Sequence, residues 1–345
     1  GKGSYGVVAS ANDTELGCKV AIKKIKPMTA HAADAKHVLR EVRLMRYLSA
    51  HPNVITISNL FANTAADELY IVMELLDSDL HRIIQSPQAL SDAHTRYFMY
   101  QLFRGIAYLH DNNIIHRDLK PGNLLVTRNC DLRITDFGLA REKAGAVGQD
   151  EMGSVEDQMT QHVVTRWYRP PELMLCPDGR YGFSVDMWSA GCIMAELIAR
   201  KPLFPGKNFV HQLTLIFNII GAPEKDNVSH ITNKQAMKFL QSVSNKPKVM
   251  FRDLYSSAPS TVTSLLEELL VFEPVKRMSA QEALNDIYFA PFEPEKETSP
   301  PVHPDFNFDF ENGNLPKNAL KRLILDEIAA FQKEARQGGQ GGQGD

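Results

Sequence analysis

The chain is short of cysteine, of net charge and of long apolar runs, and each shortage closes off a class of protein. Its four cysteines, Cys18, Cys130, Cys176 and Cys192, form no CxxC pair and lack zinc-ligand spacing. Neither a disulfide framework nor a structural zinc site is expected from them, and a reducing cytosolic or nuclear setting fits such sparse use. No apolar run reaches the roughly 18 residues that a bilayer span needs, and no secretory leader opens the chain. The 38 Lys and Arg nearly cancel the 41 Asp and Glu, leaving a net charge of −3. No overall basic field therefore exists to hold nucleic acid or an anionic membrane.

What is present reads as a globular chain, 43% hydrophobic and 23% charged. Its 345 residues exceed what one core ordinarily serves, so two lobes are expected. The chain opens without Met inside a glycine-rich segment, which reads as a cut start with a truncated first strand. Lys19 to Lys23 reads as the next strand. From Ala32 to Leu48 the apolar residues Val38, Leu39, Val42, Met45 and Leu48 fall at helical spacing, and Pro52 follows as a stop. Short strands are predicted at 54–57 and 69–73. Beyond Leu76 the character changes: 91–110 reads as a long buried helix with Ser91 as its N-cap and Phe98, Leu102, Ile106 and Leu109 on one face. Further helices are predicted at 185–198, 212–220, 261–270 and 280–285. This gives an α+β chain, with a small β-rich lobe at 1–76 and a large helical lobe at 77–292. The Gly/Gln-rich tail 337–345 is predicted to be disordered.

Three segments carry chemistry. Gly1-Lys2-Gly3-Ser4-Tyr5-Gly6-Val7-Val8 matches G-x-G-x-x-G-x-V, where missing side chains let backbone N–H groups approach phosphate oxygens. Alone it is equally a tight β-turn. No βαβ unit surrounds it, which disfavours dinucleotide binding. Lys23, on the strand after it, can neutralise phosphate charge, and Glu41 on the following helix could hold that lysine by an ion pair. His116-Arg117-Asp118-Leu119-Lys120-Pro121-Gly122-Asn123 matches H-R-D-L-x-x-x-N in full, and Asp136-Phe137-Gly138 follows it. In that pattern Asp118 accepts the proton of an attacking hydroxyl, Lys120 stabilises the transferring phosphoryl group, and Asn123 and Asp136 ligate Mg²⁺.

With a Pro-Pro-Glu triplet at Pro170, Pro171 and Glu172, these segments follow the order found in the eukaryotic protein kinases, and the resemblance runs from Gly1 to Tyr288. It implies the bilobal kinase fold, ATP and Mg²⁺ as cofactors, and an active site in the gap between lobes. It also assigns nucleotide contacts to the glycine loop, Val8, Ala21, Lys23, Met73, Glu74, Leu76, Asp79, Asn123 and Leu125. Asp186 and Arg277 complete the large-lobe pattern, and Glu172 and Arg277 would form the family's buried ion pair.

Thr165-Arg166-Trp167-Tyr168-Arg169 resembles the mitogen-activated protein kinase (MAP kinase) form of the segment before the triplet. The segment 206–226 resembles the start of the insert that MAP kinases share with their near relatives, and 293–336 resembles the MAP-kinase C-terminal extension, with Phe306-Asn307-Phe308-Asp309-Phe310, Leu315-Pro316 and the run from Leu323 to Ile328. The hinge from Tyr70 to Leu75 resembles that of the Jun kinases, with Met73 as gatekeeper, although Met73 reads equally as plain core. The resemblance implies a monomer that phosphorylates Ser/Thr-Pro sites under an upstream MAP kinase kinase. It further implies that Arg40, Arg117 and Arg141 gather round phosphorylated Thr160.

Two departures stand out. The activating Thr-x-Tyr is Thr160-Gln161-His162 here, so His162 cannot take the second phosphate and Arg166 and Arg169 lose that partner. Either activation by Thr160 phosphorylation alone or a requirement for dual phosphorylation relaxed by His162 is expected, on a loop made long, flexible and acidic by 145–157. Gly313-Asn314 replace the acidic pair that binds basic docking motifs of partners and phosphatases, with Asp309 and Glu311 nearby. Weakened docking is expected. Two other readings remain. A scaffold that binds ATP but signals by docking is disfavoured by the intact Lys23, Asp118, Asn123 and Asp136. A cyclin-dependent type of kinase is disfavoured by Arg166 and the extension.

Overall fold

A computed structural model describes residues 2–3, 6–15, 17–48, 50–143, 166–175, 181–223, 228, 231, 234–243, 246–292, 307–311 and 313–340. The chain divides into two compact units. One comprises residues 1–77, 133–140 and 299–345, and the other 78–132 and 141–298. The first is therefore not a continuous stretch: it includes the Asp136-Phe137-Gly138 segment and the C-terminal extension.

The first unit is built on an antiparallel sheet of β1 (Lys2–Gly3), β2 (Gly6–Asp13), β3 (Cys18–Ile25), β4 (Ile57–Asn63) and β5 (Glu68–Glu74), in the order β1-β2-β3-β5-β4. β3 is central and its register is continuous on both sides. Lys23 lies opposite Val8 and Ile71, and Ala21 opposite Ser10 and Met73. The period of two puts Ala21 and Lys23 on the same face. The strand predicted at 54–57 forms only at its end. Val54 makes an isolated parallel bridge to Ile134, Ile55 N donates to Ile134 O (3.0 Å), and Ile134 N donates to Asn53 O (2.8 Å). That backbone is thus engaged outside the sheet.

The helix Ala32–Leu48 has the predicted bounds, and its apolar stripe of Val38, Leu39, Val42, Met45 and Leu48 is buried. The C-terminal helix Lys317–Gln340 packs against it, burying Leu320, Ile324 and Ile328 at successive i, i+4 positions. Glu327 ties the two together, its carboxylate meeting Arg43 at 2.7 Å and Arg46 at 2.6 Å. The tail predicted to be disordered is helical as far as Gln340, and 341–345 lie outside the described residues.

In the second unit the long helix is Asp92–Asp111. Ser91 caps it in a reciprocal box with His94: His94 N donates to Ser91 Oγ, and Ser91 N to His94 Nδ1, both at 3.3 Å. Its predicted face of Phe98, Leu102, Ile106 and Leu109 is buried. The helix Ser184–Ala199 beside it is almost wholly buried and has Trp188 in the core. The helices Phe209–Ile220, Ser260–Leu269 and Ala280–Leu284 complete the predicted set with ends shifted by at most three residues. Among the described residues no helix is long and apolar enough to cross a membrane.

Candidate active site

In the first unit, Lys23 Nζ donates to Glu41 Oε1. The pair forms because β3 and the Ala32–Leu48 helix hold these residues face to face in a largely buried position, with side-chain exposures of 14% and 5%. Burial is the main influence on Glu41 and raises its pKa. Lys23 opposes that rise and the nearby Asp136 carboxylate adds to it. Lys23 is thus the group that favours the charged form of Glu41 against burial. Ala21 and Met73 are buried side by side across β3 and β5. Val8 is half-buried opposite Lys23, Leu76 is half-buried at the end of the unit, and Glu74 accepts from Thr56 N (3.1 Å) and Arg133 Nε (3.3 Å).

In the glycine loop Lys2 and Gly3 pair antiparallel with Val7 and Gly6, and Gly1, Ser4 and Tyr5 lie outside the described residues. The close approach at Gly6 is to protein. A Cβ there would stand 2.2 Å from Lys24 O. The glycine is needed for β2 to lie on β3, whatever phosphate it also admits.

Asp136 has φ +69°, a left-handed conformation costly for a residue with a Cβ. Its neighbours hold it there: Phe137 is fully buried, Ala140 N donates to Phe137 O (3.0 Å), and Arg40 Nη1 donates to Gly138 O. Arg40, expected to await a phosphate, is 1% exposed and bound to Glu311, with Nε to Oε1 at 2.6 Å. Glu311, expected in the docking surface, is committed to that contact.

In the second unit, Asp118, Lys120 and Asn123 come together on one turn. Lys120 Nζ donates to Asp118 Oδ2, and Asn123 Nδ2 donates to Asp118 O (2.9 Å) and Oδ2 (3.1 Å). Asn123 uses its amide nitrogen for both bonds, which leaves its oxygen as the donor a hard cation takes. The loop is held from beneath by Asp186, whose wholly buried carboxylate accepts from His116 N (2.8 Å), Arg117 N (2.8 Å) and His110 Nε2 (3.0 Å). Burial alone would raise its pKa. The His110 hydrogen bond, the electrostatic influence of His110 and His116 and the Arg117 N–H outweigh burial and hold it below the usual carboxylate range. These anchors let Arg117 keep φ +69°. Asp79 and Leu125 are register partners; Asp79 also caps the helix Leu80–Gln85 by accepting from Arg82 N (2.9 Å).

Arg117 stacks on Tyr181, 4.6 Å from the ring centroid, and Arg141 is paired in register with Ile115. Burial lowers the pKa of Arg169, against the pull of Asp118. Thr160, His162 and 145–157 lie outside the described residues. The predicted Glu172–Arg277 pair is present and bidentate, at 2.8 and 3.2 Å.

Among the described residues no cluster of three or more His, Cys, Asp or Glu side chains could hold a metal by itself. Mg²⁺ does not need one. It is held through one or two carboxylates together with substrate phosphates and water. The Asp136 carboxylate in the first unit and the Asn123 amide oxygen in the second are each donors of that kind.

A turn holding a carboxylate beside Lys and Asn, a strand lysine paired to a helix glutamate, and a strained Asp-Phe-Gly backbone define a protein kinase. Residues 1–289 match the protein kinase domain family, and the chain belongs to it. Within that class it is a MAP kinase. It is 43% identical over 339 residues to mitogen-activated protein kinase 7 of Arabidopsis thaliana, covering 97% of this chain and 88% of the relative. It is 44% identical over 334 residues to a mitogen-activated protein kinase of Fusarium vanettenii, covering 95% and 91%. It is 43% identical over 337 residues to extracellular signal-regulated kinase 1 of Dictyostelium discoideum, of whose length the match covers 62%. By this membership the chain is an ATP- and Mg²⁺-dependent serine/threonine protein kinase.

Proposed function

We propose that the chain phosphorylates Ser/Thr-Pro sites of proteins, with Asp118 as general base, Lys120 and Lys23 as phosphate-charge ligands, and Asn123 and Asp136 as the Mg²⁺ ligands. The observation that carries this is the Asp118 turn. Its carboxylate is fixed by Lys120 and Asn123, and its backbone by Asp186. A carboxylate so held is ready to take a hydroxyl proton while the lysine beside it meets the charge that develops on the phosphoryl oxygens. Glu41 keeps Lys23 extended towards phosphate. Mg²⁺, when bound, neutralises charge on the β- and γ-phosphates. The glycine loop, Val8, Ala21, Met73, Glu74, Leu76, Asp79 and Leu125 contact the nucleotide in this assignment.

Proline after the target residue follows from what proline lacks. It brings no N–H, so a pocket without a free carbonyl acceptor loses little by taking it. An upstream MAP kinase kinase is the activator in this reading, and Thr160 its target. The action is placed in the cytoplasm or nucleus, by a monomer. The test is phosphorylation of Ser-Pro, Thr-Pro and non-proline peptides by the parent and Asp118→Asn. Loss of about 10²–10⁴-fold in kcat is expected from removing a general base. An Asp118→Asn enzyme at parental rate, or indifference to proline, overturns the reading.

A further inference from the structure

Among the described residues, the C-terminal extension meets Arg40, the neighbour of Glu41, through Glu311. Asp309–Glu311 forms a short turn anchored by two rings, Phe308 just before it and Phe310 within it: they are 6% and 4% exposed, and the Arg43 guanidinium lies 5.0 Å from the Phe310 centroid. That anchoring delivers Glu311 to Arg40, with Oε1 2.6 Å from both Nε and Nη2. The third nitrogen of the fork, Nη1, donates to Gly138 O.

We propose that Glu311 is a positioning residue for phosphoryl transfer, acting through Arg40 on the Lys23–Glu41 pair and on the Asp136-Phe137-Gly138 segment. The argument rests on the reading that Lys23 and Asp136 serve phosphate and metal. A guanidinium as buried as Arg40 is stable only against a compensating anion and filled hydrogen bonds, and Glu311 supplies the anion. With Glu311 fixing one edge of the fork, the other edge has a defined direction, towards the Gly138 carbonyl. Gly138 is two residues from Asp136, whose left-handed backbone persists only where its surroundings hold it. Arg40 is also the immediate neighbour of Glu41 on the helix, so any swing of the Arg40 backbone moves the carboxylate that meets Lys23. One carboxylate in the extension thus sets both the metal ligand and the phosphate lysine.

The test compares the full chain with Glu311→Gln, Arg40→Lys, the double variant and Asp326→Asn, measuring kcat, KM for ATP, KM for a Ser-Pro peptide and Tm. Asp326 is exposed on the C-terminal helix, and its substitution removes the same charge from the extension. Glu311→Gln is expected to lower kcat about tenfold, within the range for substitutions that act at one remove. The peptide KM should stay parental and Asp326→Asn should be indistinguishable from the parent. Arg40→Lys keeps the charge and loses the fork, and should show the same kcat loss. The double variant should be no slower than Arg40→Lys, because both act through one contact. Should Glu311→Gln fail to fold, Arg40→Lys decides. A parental kcat in either folded single variant, or an additive double variant, overturns the proposal. A parent inert towards every peptide overturns the catalytic reading and this one with it. An active parent whose Glu311→Gln form keeps its kcat overturns this one alone.

Discussion

Arg277 grips both carboxylate oxygens of Glu172, through Nη1 at 2.8 Å and Nη2 at 3.2 Å, with its own side chain wholly out of solvent. The guanidinium also donates to Ser184 O (2.6 Å) and Val271 O (2.9 Å) and lies 5.1 Å from the Trp188 ring centroid. All of this ties the residue after Pro170-Pro171 to the core of the second unit. Removing Glu172 leaves a buried cation facing neutral carbonyls. Glu172→Ala is therefore expected to cost about 3–5 kcal/mol. Glu172→Ala with Arg277→Met should cost less than Glu172→Ala alone, since no charge is then stranded. Chemical unfolding of the three proteins checks this, and a double variant worse than both singles would contradict it.

Asp186 gives a prediction with a pH sign. Its folded pKa lies below the usual carboxylate value of about 3.9. The stability it contributes is therefore fully present above about pH 4 and lost as the pH falls below that. Asp186→Asn places an NH₂ group against one of the two backbone N–H donors of His116 and Arg117. One buried donor is orphaned, at a cost of about 1–3 kcal/mol at neutral pH. The stability gap between parent and variant should be constant from pH 8 to about 5 and narrow below about pH 4. A gap that is unchanged at pH 3 counts against Asp186 as the anchor of the Asp118 turn.

The helix Ala32–Leu48 was legible because its apolar residues repeat at helical spacing and Pro52 follows as a stop, so local pattern and burial agree. The Asp118 turn and the Lys23–Glu41 pair were legible as motifs, since chemistry fixes their residue types. The strand at 54–57 was misplaced because its partner, Ile134, is about eighty residues away and no local pattern announces it. The role of Asp186 beneath His116 and Arg117 was hidden for the same reason, as was the Arg40–Glu311 contact, which joins residues 271 apart. Sequence shows an arginine; which anion neutralises it is decided by packing.

Gly6 separates two explanations of the glycine loop. If it serves only to admit phosphate, alanine should raise the KM for ATP and leave folding alone. The 2.2 Å approach of a Cβ to the Lys24 carbonyl requires the backbone of β2 or β3 to shift. Gly6→Ala is therefore expected to lower stability by about 1–3 kcal/mol, as overpacking does, and to raise the KM for ATP as well. Unchanged thermal unfolding would show that β2 yields freely at this point.

With His162 in place of tyrosine, one phosphate on Thr160 should suffice for activity. Mass spectrometry of active enzyme is expected to find phosphate at Thr160. Thr160→Ala should lose an order of magnitude or more in kcat, whereas His162→Ala should lose far less. A dianion recruits arginines by charge-assisted bonds. Arg117 stacks on Tyr181 and Arg40 is held by Glu311, so phosphate must compete for them. Full activity in Thr160→Ala would remove this site from the mechanism.

Docking should be weak for a reason visible at three positions. Gly313 and Asn314 carry no charge where an acidic pair is expected, and Glu311 spends its carboxylate on Arg40. Asp309, exposed, is left as the nearby acid. A single exposed ion pair is worth about 0–1 kcal/mol and is screened by salt. A basic docking peptide titrated against the full chain is thus expected to bind weakly, and Asp309→Asn to change its affinity by no more than about fivefold, the equivalent of that energy. Restoring the acids with Gly313→Asp and Asn314→Asp should tighten binding and make it salt-sensitive. Tight, salt-sensitive binding by the parent that disappears in Asp309→Asn would mean that one carboxylate suffices, and the altered pair would then explain nothing about partner choice.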